Sequence, residues 1–314
     1  MPGAELHADF WLSEYISPFD IRAHGIVEVL AGARTRFQDM MIVRSGSAGL
    51  GLVLDGKWQS CQIDEHLYHE PLVHAPFVVH GGPRRALVLG GGEGATVREA
   101  LRWSTIERVT MVDIDGEVVE ACRRHLPHMH RGAFDDPRTE LVIGDALRFL
   151  DDAEPEWDAV ISDLSDPVAH GPSAPLFTKE YFEKARAALA PGGVFVVQAG
   201  PLDPANIGAH ATLASTVRAA FGGATSYWSF VPSYAAPWSF IIGSAKPVEP
   251  PDPAETDRTL ADRGVSGLRM FDGRAMRGLF DLPKDIREAI ARETAVYTLD
   301  APPTFFGSGT GRDA

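Results

Sequence analysis

The segment Asp163-Leu164-Ser165-Asp166-Pro167 sets two carboxylates at the end of an apolar run, just ahead of the loop Val168 to Pro175. Acids so placed could hold an attacking amine and take its proton. An aliphatic amine has a pKa near 10.4, so bringing it to the neutral nucleophilic form at about pH 7.5 costs roughly 4 kcal/mol. A carboxylate that accepts the proton as the new bond forms removes part of that barrier. The same pair could instead cap and shape the loop, which sits where a lid over a ligand would. Other apolar runs also end in acids: Glu93 after the first, Asp113 after the second, and Asp145 in Gly144-Asp145-Ala146 after the third. Asp145 alone could be a helix N-cap. Together, acids on one rim make a negative cleft that concentrates and orients a polycation.

Glu93 lies inside a glycine loop, Gly90-Gly91-Gly92-Glu93-Gly94. Gly90, Gly92 and Gly94 follow G-x-G-x-G, which lets the backbone turn sharply and approach a ligand with no Cβ in the way. Asp113 then stands about where a carboxylate would hydrogen-bond the ribose hydroxyls of a nucleoside. A pyrophosphate-binding turn would hardly carry a negative charge. The expected ligand is therefore cationic near Glu93, for example a sulfonium nucleoside carrying an amine.

The elements that must position these residues alternate strand and helix. Strands are expected near 86–90, 108–113, 140–143, 158–163, 193–198, 225–231 and 238–243, with helical stretches such as Gly116 to Leu126 and Thr178 to Leu189 between the earlier ones. Pro191-Gly192-Gly193 reads as a stop before a strand. The link Pro232 to Pro237 is too short for a crossover helix, so the last two strands must pair antiparallel. The fold class is α/β: a seven-stranded Rossmann-like sheet of the methyltransferase type, with a small N-terminal antiparallel β domain. That small domain alternates β-type runs and turns from about Ile21 to Cys61, with Asp55-Gly56 as a hairpin signal. The expected division is 1–63 for the β domain, 64–245 for the catalytic sheet, and 246–314 for a proline-rich linker and helical appendix ending in a flexible Gly-Ser-Gly-Thr-Gly.

The chain of 314 residues is 45% hydrophobic, enough for a full core. A formal charge of −14 and a pI near 5.2 argue against nucleic-acid or anionic-membrane binding as the main task. They suit a cationic substrate, though an acidic surface can also serve solubility alone. Cys61 and Cys122 form no metal or redox spacing, and reduced thiols in a cytoplasmic protein are expected. No stretch has the length of a membrane span, and Met1 to Glu5 lacks a basic region followed by an apolar one. His66, His69 and His74 fit no common metal site. Trp228 and Trp238 read as core residues more readily than as a cation cage. Ser165 has no histidine in a triad-like context, so serine hydrolysis is set aside.

Gly90 to Thr96, Met111 to Asp115, Gly132 to Pro137, Asp163 to Pro167 and Tyr68-His69-Glu70 closely resemble the polyamine aminopropyltransferases, the spermidine and thermospermine synthases, over about Phe37 to Ala245. The resemblance implies transfer of an aminopropyl group from decarboxylated S-adenosylmethionine, a co-substrate, to a polyamine, with release of methylthioadenosine and no prosthetic group. It implies that Gln38 and Asp113 hold the ribose, Asp145 the adenine amino group, and Glu93 the aminopropyl amine, with Gly90, Gly92, Gly94 and Ala146 also on the nucleoside side. It implies Asp163 as proton acceptor beside Tyr68, Asp166 on the acceptor amine, and Gln59, His69, Tyr234 and Trp238 along the substrate cleft. A homodimer or homotetramer is expected. Typical spermidine synthases have Gln where this chain has His69, and Gly-Glu where it has Ala199-Gly200. Gln198 to Pro201, Pro232 to Trp238 and Arg292 to Thr298 look instead like the thermospermine branch, although that branch has Asp at Ala236; the central stretch also resembles thermophile enzymes that use agmatine. A longer acceptor, spermidine or agmatine, is expected over putrescine. The alternatives are a methyltransferase on the same sheet, against which Glu93 and the Asp163/Asp166 pair speak, and a non-catalytic nucleoside- or polyamine-binding module, which would not need Asp163, Asp166 and Tyr68.

Overall fold

Short strands joined by tight turns near the N-terminus form one antiparallel sheet in which each strand pairs with the next. The computed structural model describes residues 7–168 and 172–304. The sheet contains β1 (Phe10–Ser17), β2 (Asp20–Arg34), β3 (Asp39–Ser45), β4 (Gly49–Leu54) and β5 (Lys57–Cys61). At the expected Asp55-Gly56 turn both residues have positive φ, 47° and 72°, the twist a two-residue hairpin needs. The sheet begins earlier than the expected start near Ile21. On β1 and early β2 the side chains of Phe10, Trp11, Tyr15 and Ile21 are exposed, so no clean inward-facing alternation marks these strands in the sequence.

The helix α1 (His66–His80) leads into the second sheet. Its elements are β6 (Arg85–Gly90), α2 (Ala95–Leu101), β7 (Arg108–Asp113), α3 (Gly116–His125), α4 (Pro127–His130), β8 (Thr139–Ile143), α5 (Ala146–Asp151) and β9 (Trp157–Asp163). Then come α6 (Lys179–Ala187), β10 (Leu189–Pro201), α7 (Ile207–Phe221), β11 (Gly223–Val231) and β12 (Ala236–Ser244). The strand order is β11-β12-β10-β9-β6-β7-β8, and β12 runs antiparallel to both its neighbours. The interior strand β6 is apolar on both faces because helices cover both. Ala86 and Val88 enter one core cluster, Leu87 and Leu89 the opposite one, as the two-residue period of a strand requires.

The chain builds outward from β6 to β8, then returns to place β9 on the other side of β6. This reversal opens a crevice at the carboxyl ends of β6 and β9, where open α/β sheets bind ligands. Gly90 and Asp163 face each other there across the two strands. A Cβ on Gly90, whose φ is +84°, would lie 2.2 Å from the Asp163 carbonyl oxygen. Only glycine fits at that point.

Pro191-Gly192-Gly193 is not a stop before a strand. It is an irregularity within β10, which pairs with β9 at Leu189 and Trp157, breaks, and resumes at Val194 and Ala159. A Cβ on Gly193 would come within 2.8 Å of the Trp157 carbonyl oxygen, so close backbone approach explains the glycine.

The C-terminal segment forms α8 (Pro253–Asp262), α9 (Gly273–Phe280) and α10 (Lys284–Arg292). The buried Glu70 carboxylate on α1 pins it, accepting the backbone N–H groups of Arg269, Met270 and Phe271 at 2.8–3.0 Å. Leu282 and Ile286 pack with Leu202 and the partly buried Trp228. Three expectations fall outside the described residues, in whole or part: the Met1 to Glu5 segment, the loop at Ala169 to Gly171, and the Gly-Ser-Gly-Thr-Gly tail. Among the described residues no helix is long and apolar enough to cross a membrane.

Candidate active site

The crevice widens into a cleft of about 1720 Å³ between the two sheets. Asp163, the last residue of β9, lies on its floor. Its Oδ1 accepts the Tyr68 hydroxyl of α1 at 2.7 Å and its Oδ2 accepts the Thr96 hydroxyl of α2 at 2.5 Å. Burial raises the Asp163 pKa; His69 and the two hydroxyls pull against it, and Glu93 adds to it. Burial, and then Asp163 itself, pushes the Tyr68 hydroxyl well above its ordinary pKa. Tyr68 therefore stays protonated and orients Asp163 as a donor. Thr96 was missed as a site residue; its place in the first turn after the glycine loop was the available signal.

On the nucleoside side, Gly90, Gly91, Gly92 and Glu93 line the cleft. Gly94 does not. It caps α2 at φ +77°, where a Cβ would meet Phe134 and His130 at under 3 Å, so its role is packing. Asp113 lines the cleft, and burial pushes its carboxyl up to about 6 although its Oδ1 accepts the Asp115 N–H at 2.9 Å. Gln38 also lines it. The Gln38 amide donates to Asp115 Oδ2 at 3.1 Å, an oxygen that also accepts the Thr35 hydroxyl at 2.6 Å, while Asp115 Oδ1 caps α3. Asp115 thus ties the turn between β2 and β3 to the loop after β7 and sets the Gln38 side chain. Asp145 is an N-cap that also lines the cleft: Oδ1 caps α5 through the Leu147 N–H at 2.8 Å, and Ala146 lines the cleft beside it.

The other end of the cleft is built around Asp166. Its Oδ1 accepts the Gln198 amide at 3.1 Å, and Gln198 Oε1 in turn accepts the Gly200 N–H at 3.0 Å and the Trp238 indole N–H at 3.1 Å. Trp238 therefore reaches Asp166 through Gln198. Burial pushes the Asp166 carboxyl up to about 6, with Gln198 and Lys57 opposing. The Tyr234 hydroxyl donates to the Gln59 carbonyl, and the Tyr234 and Trp238 rings lie 4.6 Å apart; all three residues line the cleft. Two charged groups of the N-terminal sheet, Glu14 and Lys57, also line this end. Glu14 lies 3.0 Å from His24 Nε2 and accepts the Trp58 N–H, and Lys57 donates to the Tyr15 carbonyl. Neither was singled out from the sequence, because β1 was not expected and a lone lysine after a hairpin turn reads as surface.

His69 departs from the expected placement along the substrate cleft. It is 1% exposed and stands behind Glu93, its Nε2 3.0 Å from Glu93 Oε1 and its Nδ1 on Glu65. His74 lies deeper, with Glu99 at 2.9 Å and the Trp103 indole N–H at 3.0 Å. Among the described residues no group of His, Cys, Asp and Glu is placed to hold a metal ion.

A raised carboxyl keeps its proton to higher pH than an ordinary aspartate. If ionised Asp166 is needed, kcat/KM for the acceptor should therefore fall as pH drops through about 6, and the raised Asp163 carboxyl acts in the same direction. Asp166→Asn should act chiefly through KM for the acceptor, since a cation-holding group need not take the proton. A rate profile flat down to about pH 4, the range of an unperturbed aspartate, would show that neither carboxyl controls turnover.

Residues 65–250 match the spermine/spermidine synthase domain. A polyamine aminopropyltransferase from Synechococcus sp. (strain JA-3-3Ab) is 50% identical over 304 residues, covering 94% of this chain and 97% of that protein. The chain belongs to the spermine/spermidine synthase family. It is an enzyme of the aminopropyltransferase type, and the methyltransferase and non-catalytic readings fall away. A polyamine aminopropyltransferase from Aeropyrum pernix is 42% identical over 302 residues, 92% of this chain and 93% of that protein. Among solved structures, a spermidine synthase in complex with the transition-state analogue AdoDATO superimposes with a TM-score of 0.83 at 27% identity, covering 93% of this chain and 99% of that one. The spermidine synthase from Thermotoga maritima gives 0.82 at 27% identity, with 93% and 98% covered.

Proposed function

We propose that the enzyme transfers the aminopropyl group of decarboxylated S-adenosylmethionine to spermidine or agmatine in preference to putrescine, releasing methylthioadenosine. The observation that carries this reading is that Asp163, held by Tyr68 and Thr96, lines one cleft together with Glu93 and Asp166. Glu93 receives the aminopropyl ammonium, Gln38 and Asp113 the ribose, and Asp145 with Ala146 the adenine. Gly90 and Gly92 let the nucleoside approach the backbone. Asp166 holds the acceptor while Asp163 takes a proton from its attacking amine. The freed nitrogen pair forms a bond to the aminopropyl carbon next to sulfur. The carbon–sulfur bond breaks, its electrons stay on sulfur, and a neutral thioether leaves.

The acceptor preference rests on the far end of the cleft. Where spermidine synthases typically carry Gly-Glu, Ala199 is buried and Gly200 has no side chain. The cleft continues past them to Asp203 and Asn206, leaving room for a longer amine. We further infer a cytoplasmic homodimer or homotetramer, from the two free, buried thiols and the exposed apolar residues of β1 and β2.

The enzyme should be given decarboxylated S-adenosylmethionine with putrescine, agmatine and spermidine at equal concentrations, and the products identified by mass. No aminopropylated product with any amine would overturn the reading. The highest kcat/KM for putrescine would overturn the acceptor preference alone. The carboxylated nucleoside should bind more weakly: a carboxylate about 5 Å from an isolated Glu93 at an effective dielectric near 20 is repelled by roughly 3 kcal/mol. His69 on one Glu93 oxygen offsets part of this, leaving an expected difference of about tenfold or more by calorimetry. Equal affinities would remove Glu93 from the role.

A further inference from the structure

His69 sits between two carboxylates, Glu65 and Glu93, one on each ring nitrogen. Nδ1 lies 2.8 Å from the Glu65 carbonyl oxygen and 3.1 Å from Glu65 Oε2. Nε2 lies 3.0 Å from Glu93 Oε1. A carbonyl oxygen only accepts, so Nδ1 must donate; Nε2 must donate as well when Glu93 carries the negative charge that a bound ammonium needs. We propose that His69 is a resident imidazolium and a positioning residue, holding one oxygen of Glu93 so that the other is presented to the co-substrate's ammonium. This rests on the reading that Glu93 receives that ammonium.

The surroundings agree from every side. Glu65 at the start of α1 and Glu93 after β6 face the ring directly. Arg98 of α2 binds Glu65 at 2.7 Å. Asp163 at the end of β9 feels the His69 charge, and His128 of α4 faces the same Glu65, Glu93 and Arg98 group. Burial opposes a charge on His69, but hydrogen bonds to Glu65 and Glu93 outweigh it and hold the proton up to about 10. Two consequences follow for the reaction. Glu93 keeps a fixed direction without a bound ligand, and the cation pulls the Asp163 pKa down against the burial that raises it. A neutral glutamine at this position would supply a donor but not the charge.

The test is nitrogen NMR of the full-length enzyme labelled with ¹⁵N-histidine, the His69 signals being assigned by their loss in His69→Gln. Should that variant not fold, their displacement in Glu93→Gln assigns them. Both ring nitrogens should show the imidazolium signature throughout about pH 6 to 9, where a free histidine loses its proton. A neutral tautomer in that window overturns the inference. In His69→Gln the acid limb of the kcat profile should move up by about one pH unit, because Asp163 loses a neighbouring cation. A lower kcat with an unmoved limb would indicate packing alone and also overturns it. Transfer from decarboxylated S-adenosylmethionine by the unaltered enzyme is measured separately. Transfer with a neutral His69 would overturn only this inference, whereas no transfer would overturn the role given to Glu93, whatever the charge on His69.

Discussion

An Asp163→Asn enzyme is expected to fold and to bind the nucleoside while losing about two to four orders of magnitude in kcat. The substitution is close to isosteric. The amide oxygen can still accept the Tyr68 hydroxyl, and the Thr96 hydroxyl can rotate to accept from the amide nitrogen, so both contacts that hold the side chain survive. Only the capacity to take a proton is removed. The acceptor amine must then shed its proton to water before attack, which restores much of the roughly 4 kcal/mol that the carboxylate offsets. Single-turnover kinetics with saturating nucleoside and amine read this directly, and calorimetry checks that nucleoside affinity is kept. Turnover within about threefold of the unaltered enzyme would remove Asp163 from the role.

Arg98→Met should lower the unfolding free energy by about 3–5 kcal/mol. The Arg98 side chain is 7% exposed, and its guanidinium donates to Glu65 Oε2 and Glu99 Oε1, each at 2.7 Å, and to the Met129 carbonyl at 2.6 Å. Methionine fills much of the volume but leaves buried carboxylates without that cation. Glu99 retains His74 and Arg102, and Glu65 retains His69, which argues for the lower half of the range. Urea unfolding of both proteins measures the difference. A loss under about 1 kcal/mol would mean that the remaining cations already neutralise the cluster. If uncompensated charge is the cause, adding Glu65→Gln and Glu99→Gln to Arg98→Met should recover part of the loss. Because Glu65 also holds His69, Arg98→Met should disturb the nucleoside end of the cleft before it disturbs the Asp166 end.

The strand-helix alternation, the antiparallel closing pair, the glycine loop and the acids ending successive strands were all legible in the sequence. These features are local: the period of apolar residues identifies an element, and the residue that ends a parallel strand faces the ligand side of the sheet whatever its partners are. Partnership between distant residues is not local, and there the tertiary structure decided. Tyr68 meets Asp163 across 95 positions, and Tyr234 meets Gln59 across 175. Such pairings depend on how one element lies over another, which residue spacing does not encode. The same limit hid the contact of Thr96 with Asp163, the link from Trp238 through Gln198 to Asp166, and the arrival of Glu14 and Lys57 from the N-terminal sheet. Gly94 shares the spacing of Gly90 and Gly92, yet it packs on Phe134 while they line the cleft. The spacing of the loop determined where the backbone could bend; the helices packed around it determined which glycine faces a ligand. His69 is the sharpest case: the sequence alone placed it beside Tyr68 along the substrate cleft, and only the fold set Glu65 and Glu93 on its two nitrogens and so made it a cation.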